Sequence, residues 1–304
     1  MALHLIYRSY GGDNGKTRPP WFSKTLAAAS FSRAAERADL QPHWLNDGPI
    51  APPTLDVMRR RGMIHQLMDG PVGMRRSYVI GLRMAIESHW SDDDVVYFCE
   101  DDYLHTTDAF TTLRAAAEEL PQISYFALYG STPQWPDAEW PGGYAYPRGW
   151  NRRPDLQADG HDWVHVASTA STFGARLGAL RRDYPLFRQA MIPFRRRYLD
   201  HETCLLYQGY RPYRGREYVM GLRGDFVPGT RGVARAAFLI PFRVGLNLRS
   251  RRNAHDPHLL YAATPNLACH VEVGVMTPGH DWVAEAESTR QWAEDKGLQL
   301  PIRV

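Results

Sequence analysis

Cysteine is scarce in this chain of 304 residues. The three cysteines, Cys99, Cys204 and Cys269, are scattered, which excludes a disulfide framework and a zinc-binding spacing. Long apolar runs are also missing. No stretch approaches the length of a membrane span, and the apolar run at the N-terminus is too short for a signal peptide. These absences predict a cytoplasmic protein of a reducing compartment.

The chain also lacks a strong net charge. Its formal charge of +3 is too small to indicate a specific nucleic-acid partner. The arginines nevertheless concentrate in the last third, and residues 234–248 interleave arginine with apolar side chains. This pattern is typical of an interfacial helix, broken at Pro241, that contacts an anionic membrane from its inner face. A core helix with exposed arginines explains the pattern equally well.

What the chain does have is an apolar segment that ends in three carboxylates. Residues 95–99 suit a buried strand, and Glu100, Asp101 and Asp102 follow at once. If the chain stays extended, alternation places Glu100 and Asp102 on one face, where both reach one hard cation, Mg²⁺ or Mn²⁺. The alternative is that the acids only end the strand and help to cap the next helix.

Hydrophobic periodicity predicts strands and helices in alternation. We expect strands at 3–7, 43–47, 62–67, 95–103, 123–129 and 163–173, and helices at 21–38, 72–88, 108–120 and 175–183. Such alternation indicates an α/β fold with a central, mostly parallel mixed sheet flanked by helices. Residues 131–162 follow no period, and their tryptophans and tyrosines favour a functional segment over a disordered one.

Polar residues near the N-terminal strands are candidate ligand contacts. Arg8, Lys16 and Arg18 lie in a loop before the first helix, and with the free amides of that helix they would form an anion cradle. The spacing matches no Gly-rich phosphate fingerprint, so a solvated loop is the alternative. Asp47, at the end of the second strand, is a candidate acceptor for a base or ribose, or simply part of a turn. Arg75 is positioned to face the same ligand.

The acidic strand and its surroundings resemble the glycosyltransferases of the GT-A fold, family-2-like members in particular. The resemblance covers residues 1–220: three strand–helix units lead to Glu100-Asp101-Asp102, and Asp200-His201-Glu202 follows. Family members carry an Asp-x-Asp-type motif at the first of these places. The resemblance implies one GT-A-like catalytic domain at residues 1–225, with a basic C-terminal segment at residues 226–304 that packs on it.

The resemblance also implies roles on the donor side of the site. Asp102 becomes a metal ligand, and His270 is the candidate for a late histidine that joins it. Glu100 contacts the ribose or the water shell of the metal, and Asp101 beside it belongs to the same donor site. The cofactor implied is Mg²⁺ or Mn²⁺.

On the acceptor side, the resemblance implies a carboxylate base. Asp200 is the first candidate and Glu202 the second. Two departures bear on these assignments: the motif begins with Glu100, and an Asp-His-Glu replaces the adjacent Glu-Asp pair usual in inverting members.

The implied enzyme is a metal-dependent glycosyltransferase. It would move a sugar, with inversion, from a nucleotide-diphosphate sugar to a hydroxyl of a glycan or lipid-linked acceptor. A sugar nucleotidyltransferase would use a similar sheet and acidic site, and the basic loop at 11–18 keeps that alternative open. A non-catalytic basic protein that binds a membrane or a polyanion through a GT-A-like sheet is the third hypothesis.

Overall fold

A computed structural model describes residues 1–12, 15–130, 150–191, 200–222, 226–274, 276–277 and 279–301. The strands are β1 (Leu3–Tyr10), β2 (Pro42–Asp47), β3 (Met63–Gln66), β4 (Val95–Glu100), β5 (Tyr103–His105), β6 (Ile123–Ala127), β7 (Leu156–Ala158), β8 (His161–His165), β9 (Phe173–Arg176), β10 (Leu259–Thr264) and β11 (Ala268–His270). The helices are α1 (Lys24–Arg37), α2 (Pro52–Arg60), α3 (Met74–Ile86), α4 (Ala109–Glu119), α5 (Leu177–Ala190), α6 (Asp200–Tyr207), α7 (Glu217–Met220), α8 (Thr230–Phe238), α9 (Ile240–Asn253) and α10 (Trp282–Asp295).

Within the described residues, nine strands form one sheet in the order β3-β2-β1-β4-β9-β6-β10-β8-β7. Strands β8 and β9 run against the other seven. Strands β5 and β11 form a separate antiparallel pair. The fold-class prediction is therefore confirmed: this is a mixed α/β protein with a large, mostly parallel sheet flanked by helices, in keeping with a GT-A-like single domain.

Successive side chains of the central strands pack alternately into two hydrophobic cores, one on each side of the sheet. In β1, Leu5 and Tyr7 join one core, and Ile6 joins the other. In β4, Tyr97 joins the first core and Phe98 the second. This alternation is what a strand covered on both faces requires, because successive side chains point to opposite sides of a sheet. Helices α1 and α4 lie on the first side, whereas α3, α5 and α6 lie on the second.

The C-terminal part of the chain contributes to the sheet itself. Strand β10 hydrogen-bonds to β6 on one side and to β8 on the other. It belongs to residues 226–304, which were expected to pack on the catalytic domain, and no strand was expected at residues 259–264. The reason is that a short internal strand of six residues carries little periodicity of its own.

The segment expected to form one strand at 163–173 contains parts of two separate strands. Residues 163–173 were expected to form a single strand, but β8 ends at His165 and β9 begins at Phe173. Strand β9 continues through Ala175 and Arg176, so the next helix starts at Leu177 rather than at 175. The Ser- and Thr-rich residues 166–172 form the loop between the two strands. Residues 131–149, most of the aperiodic segment, lie outside the described residues.

The basic helix at 234–248 was expected to break at Pro241, and the break lies two residues earlier, at Leu239. Helix α8 ends at Phe238, and α9 begins at Ile240 with Pro241 in its first turn, where a proline is tolerated. Arg243 is buried and donates to the carbonyl oxygens of Tyr218 and Val219 at 3.0 and 2.7 Å. Phe238 and Leu248 are exposed. None of the described helices has the length and hydropathy that crossing a membrane requires.

Candidate functional site

A cleft of about 880 Å³ opens at the carboxyl ends of β1, β2 and β4. Ligands of open α/β sheets bind at this edge, because loops leave the strands there and the strand tips carry polar groups. The cleft is in the size range of small-molecule sites. Eight of the predicted site residues line it: Arg8, Lys16, Asp47, Glu100, Asp101, Asp102, Asp200 and His270.

The three acids Glu100, Asp101 and Asp102 do not continue as one extended strand. The strand ends at Glu100, and residues 101–102 form a turn before β5. The alternation expected for Glu100 and Asp102 is therefore wrong, because it required the chain to stay extended. Each carboxylate instead pairs with a different cation.

Glu100 pairs with Arg8 through the register of two parallel strands. Arg8 of β1 lies beside Glu100 of β4, and its guanidinium donates to Glu100 Oε1 at 2.5 Å. The same guanidinium donates to the Ser77 hydroxyl and the Met74 carbonyl of α3. The backbone N–H of Glu100 donates to the Thr172 hydroxyl at 3.1 Å. These bonds join β1, β4, α3 and the loop after β8 at the base of the cleft.

Asp101 turns to the other side, toward α1. Lys24, the first residue of that helix, lies 2.9 Å from Asp101 Oδ2 and donates to the carbonyl oxygens of Tyr10 and Gly12. The N–H of Tyr10 donates to the same Asp101 oxygen at 2.7 Å. Burial raises the pKa of Asp101 in spite of Lys24. Asp101 therefore ties the end of β1 to the turn after β4.

Three side chains lie at hydrogen-bond distance from one carboxylate oxygen of Asp102. Lys16 and Arg18 donate to its Oδ2 at 2.9 and 2.8 Å, and His270 Nε2 lies 3.1 Å from it. Burial alone would raise the pKa of Asp102, but His270, Lys16 and Arg18 outweigh it and hold that pKa well below the ordinary value. The Asp102 side chain is only 4% exposed. Its Oδ1 is buried without a hydrogen-bond partner among the described residues.

The short antiparallel pair of β5 and β11 brings His270 to this point. Tyr103 lies opposite His270 in that pair, so Asp102, one residue earlier, reaches the imidazole across 168 positions of sequence. The rings of Tyr103 and Tyr129 flank the imidazole, with centroids at 5.1 and 6.1 Å. The resemblance implied that Asp102 and His270 share a metal, and the fold places the two side chains in contact.

Lys16 occupies the place expected for a divalent cation. Its ammonium lies 2.9 Å from Asp102 Oδ2, 2.8 Å from His270 Nε2 and 3.7 Å from Glu272 Oε2. A divalent ion on the same oxygen would stand beside the Lys16 and Arg18 cations, which would repel it. The described residues contain no group of three or more His, Cys, Asp or Glu side chains arranged to hold a metal. As arranged, these residues do not fit a resident Mg²⁺ or Mn²⁺.

Three other predicted donor-site residues have structural partners. Asp47 accepts from the backbone N–H groups of Val72 and Gly73 at 2.5 and 3.1 Å, just before α3. Arg18 is buried behind Asp102 and also donates to the Val271 carbonyl, so it does not line the cleft. Arg75 does not line it either, and donates to the Met191 carbonyl at 3.4 Å.

The two candidates for the base differ in position. Asp200, the first residue of α6, lines the cleft beside the loop 168–171. Glu202 is fully buried, does not line the cleft, and accepts from the Tyr213 hydroxyl at 3.0 Å. In a helix, residues two apart point in different directions. Only Asp200 of the pair is therefore placed to meet a substrate in the cleft.

Several residues of this cleft were not predicted from the sequence. Lys24 follows a serine at the start of α1, and its charge was a usable signal next to the predicted loop. Tyr129 is the last residue of the predicted strand at 123–129, where an aromatic side chain is ordinary core material. Glu272 lies two residues beyond His270, and only the fold shows that it approaches Lys16.

Comparison with known proteins adds a distant structural likeness. No protein-family model matches the chain, and no curated protein matches it by sequence. Among solved structures the chain is similar to a crystal structure of residues 1–349 of S. aureus TarS, a glycosyltransferase, with a TM-score of 0.40 and 12% identity over 67% of this chain. The match spans 54% of that TarS chain, about half of its length. A likeness at this level carries no argument about activity.

Proposed function

We propose that the protein is a glycosyltransferase that moves a sugar from a nucleotide-diphosphate sugar to a hydroxyl of a glycan or lipid-linked acceptor. The observation that supports this most directly is that one cleft holds two different sets of groups. Cationic side chains from the N-terminal part of the chain, Arg8, Lys16 and Lys24, line one part of it, and the carboxylate of Asp200 also lines it. Sugar transfer requires both, because a phosphate leaves while a hydroxyl loses its proton.

The cationic part is where the donor would bind. As the bond between the anomeric carbon and the diphosphate oxygen breaks, negative charge grows on that oxygen. A charged donor near the oxygen stabilises the transition state more than the ground state. Lys16 is the best placed, since it lines the cleft and its side chain is 35% exposed. Arg8 is held by Glu100 and supports the base of the site.

Asp200 would act on the acceptor. Its carboxylate takes the proton of the attacking hydroxyl as the new bond to the anomeric carbon forms. A positioned general base is worth about 10² to 10⁴ in rate. The adjacent loop at 168–171 supplies serine and threonine hydroxyls to the cleft, and such groups hydrogen-bond to sugars.

The exposed face of α8 and α9 would hold the enzyme on an anionic lipid surface, the location of a lipid-linked acceptor. Phe238 is 74% exposed and Leu248 54% exposed. Arg231, Arg251 and Arg252 are exposed on the same two helices. Each basic residue near an anionic membrane contributes about 1 kcal/mol to the free energy of binding. The positive charge of these arginines complements the negative lipid headgroups.

A ligand screen tests the proposal. Purified protein is titrated calorimetrically with UDP, GDP, CDP, ADP and dTDP, and then with sugar conjugates of whichever nucleotide binds. We expect one nucleoside diphosphate to bind in preference to the others and its sugar conjugate to release that diphosphate on turnover. Release of pyrophosphate from a nucleoside triphosphate and a sugar phosphate would identify a nucleotidyltransferase instead. Binding of anionic vesicles without any nucleotide binding would leave only the non-catalytic hypothesis.

A further inference from the structure

We infer that the Lys16 ammonium takes the place of a divalent cation, so that the enzyme binds the diphosphate of its donor without a metal. The ammonium stands between Asp102 and His270, the two side chains that the resemblance implied as metal ligands. Lys16 can act on a diphosphate only if one enters the cleft, so this inference rests on the proposed function.

Two atoms that would coordinate a metal, Asp102 Oδ2 and His270 Nε2, already have partners. Asp102 Oδ2 accepts from Lys16 and Arg18, and the Asp102 side chain has almost no surface in the cleft. His270 Nε2 lies 2.8 Å from the Lys16 ammonium and 3.1 Å from Asp102 Oδ2. This nitrogen either accepts from Lys16 or donates to Asp102, since it has one lone pair or one proton. In neither case is its lone pair open to a metal.

The chemistry of lysine suits this place. An ammonium is a compact point charge with three donors, whereas guanidinium is a flat, delocalised cation. Only three of the 36 basic residues of the chain are lysines, Lys16, Lys24 and Lys296. Two of these three line the cleft. The Lys16 ammonium lies within hydrogen-bond distance of Asp102 and His270, and Lys16 lines the cleft that a phosphate would enter.

Charge balance alone would favour an added cation. Six carboxylates line the cleft, Asp47, Glu100, Asp101, Asp102, Asp200 and Glu272, against the three cations Arg8, Lys16 and Lys24. The positions of the charges do not favour an added cation, because each acid at the base of the cleft is already paired with a cationic side chain. Glu100 pairs with Arg8, Asp101 with Lys24, and Asp102 with Lys16 and the buried Arg18. The carboxylates at the expected metal position are therefore neutralised by the protein itself.

Calorimetry with and without metal tests the inference. UDP, GDP, CDP, ADP and dTDP are titrated into the full chain in EDTA, and again with Mg²⁺ or Mn²⁺. We expect the nucleotide that binds to have the same affinity in both buffers. Lys16→Met should weaken its binding in EDTA by roughly tenfold to a hundredfold, the value of a charge-assisted hydrogen bond. Lys16→Arg should recover only part of it. Lys296→Met, which removes a lysine paired with Glu36 outside the cleft, should bind as the wild type does.

The outcomes separate the two claims. Binding that requires Mn²⁺ and disappears in EDTA overturns the inference and leaves the proposed function intact. The absence of nucleotide binding in both buffers overturns the proposed function and the inference together. Mn²⁺ titrated alone into the wild-type protein gives a further measurement that needs no variant. If Mn²⁺ binds to the wild-type protein and His270→Gln abolishes that binding, a metal occupies the position that we assign to the Lys16 ammonium, and the inference is overturned. Melting temperatures of the variants show whether a loss of binding reflects unfolding.

Discussion

His105 should make the stability of this protein fall with acid in a way that can be measured without a substrate. Its side chain is fully buried between the rings of Phe31 and Phe110, and Nε2 lies 3.0 Å from the Tyr97 hydroxyl. Burial lowers the pKa of His105 to about 3. The residue therefore has to be neutral in the folded protein at any ordinary pH.

The size of the effect follows from the two pKa values. In the unfolded chain a histidine has a pKa of about 6.5. Below that pH the unfolded state therefore binds a proton at His105 that the folded state does not bind. Stability is therefore unaffected above pH 6.5 and falls as the pH drops from there toward 3. At pH 5 the loss from this one residue is about 2 kcal/mol, a large part of a typical folding free energy of about 5–15 kcal/mol.

The loss bears on the site because of where His105 lies. It is the last residue of β5, opposite Ala268 of β11, and its backbone N–H donates to the Ser30 hydroxyl at 3.2 Å. The same pair of strands positions Asp102 and His270. Protonation of His105 should therefore disturb the part of the fold that assembles the base of the cleft.

The assay is urea unfolding followed by tryptophan fluorescence at pH 7 and at pH 5. His105→Gln keeps a polar side chain that cannot be charged, and it should lose about 2 kcal/mol less than the wild type between the two pH values. The control is His89→Gln, which removes a histidine exposed to solvent in the folded protein and should leave the wild-type difference unchanged. If His105→Gln and the wild type lose the same free energy, the buried imidazole is not the group that titrates, and the reasoning fails.

Three further predictions concern activity and binding. Asp200→Asn should lower the release of nucleoside diphosphate by about 10²-fold or more while donor binding and melting temperature stay close to the wild type; an active, folded variant would remove Asp200 as the base. Glu202→Gln should cost about 1–3 kcal/mol in urea unfolding, because the Tyr213 hydroxyl then faces a neutral amide, and should keep the activity of the folded fraction. A folded but inactive Glu202→Gln protein would move the base assignment to Glu202. Sedimentation with phosphatidylserine vesicles should recover the wild type at low salt and release it at high salt, and Phe238→Ser with Leu248→Ser should abolish recovery at either salt.

The sequence by itself determined the first half of the fold. Most strands and helices from β1 to β6 were predicted within a few residues, because each is long enough to show its period and is bounded by turn residues. Helix α2 and the separate short strand β5 were not predicted. The place of the acidic cluster at a strand tip also followed from local chemistry, since carboxylates do not end a buried strand inside the core. Together with the scarcity of cysteine and long apolar runs, these features predicted the class of protein and the edge of the sheet that carries the site.

Tertiary structure decided the partners. Lys16 and His270 lie 254 positions apart and meet only because β11 pairs with β5 beside the loop after β1. Strand β10 enters the sheet between β6 and β8, although nothing local marks it as internal. Sheet order and side-chain pairing depend on which distant segments bury each other's surfaces, and no window of the sequence contains that information. For the same physical reason, the sequence alone could nominate Asp102 and His270 as neighbours of a cation, while only the fold put the Lys16 ammonium between them.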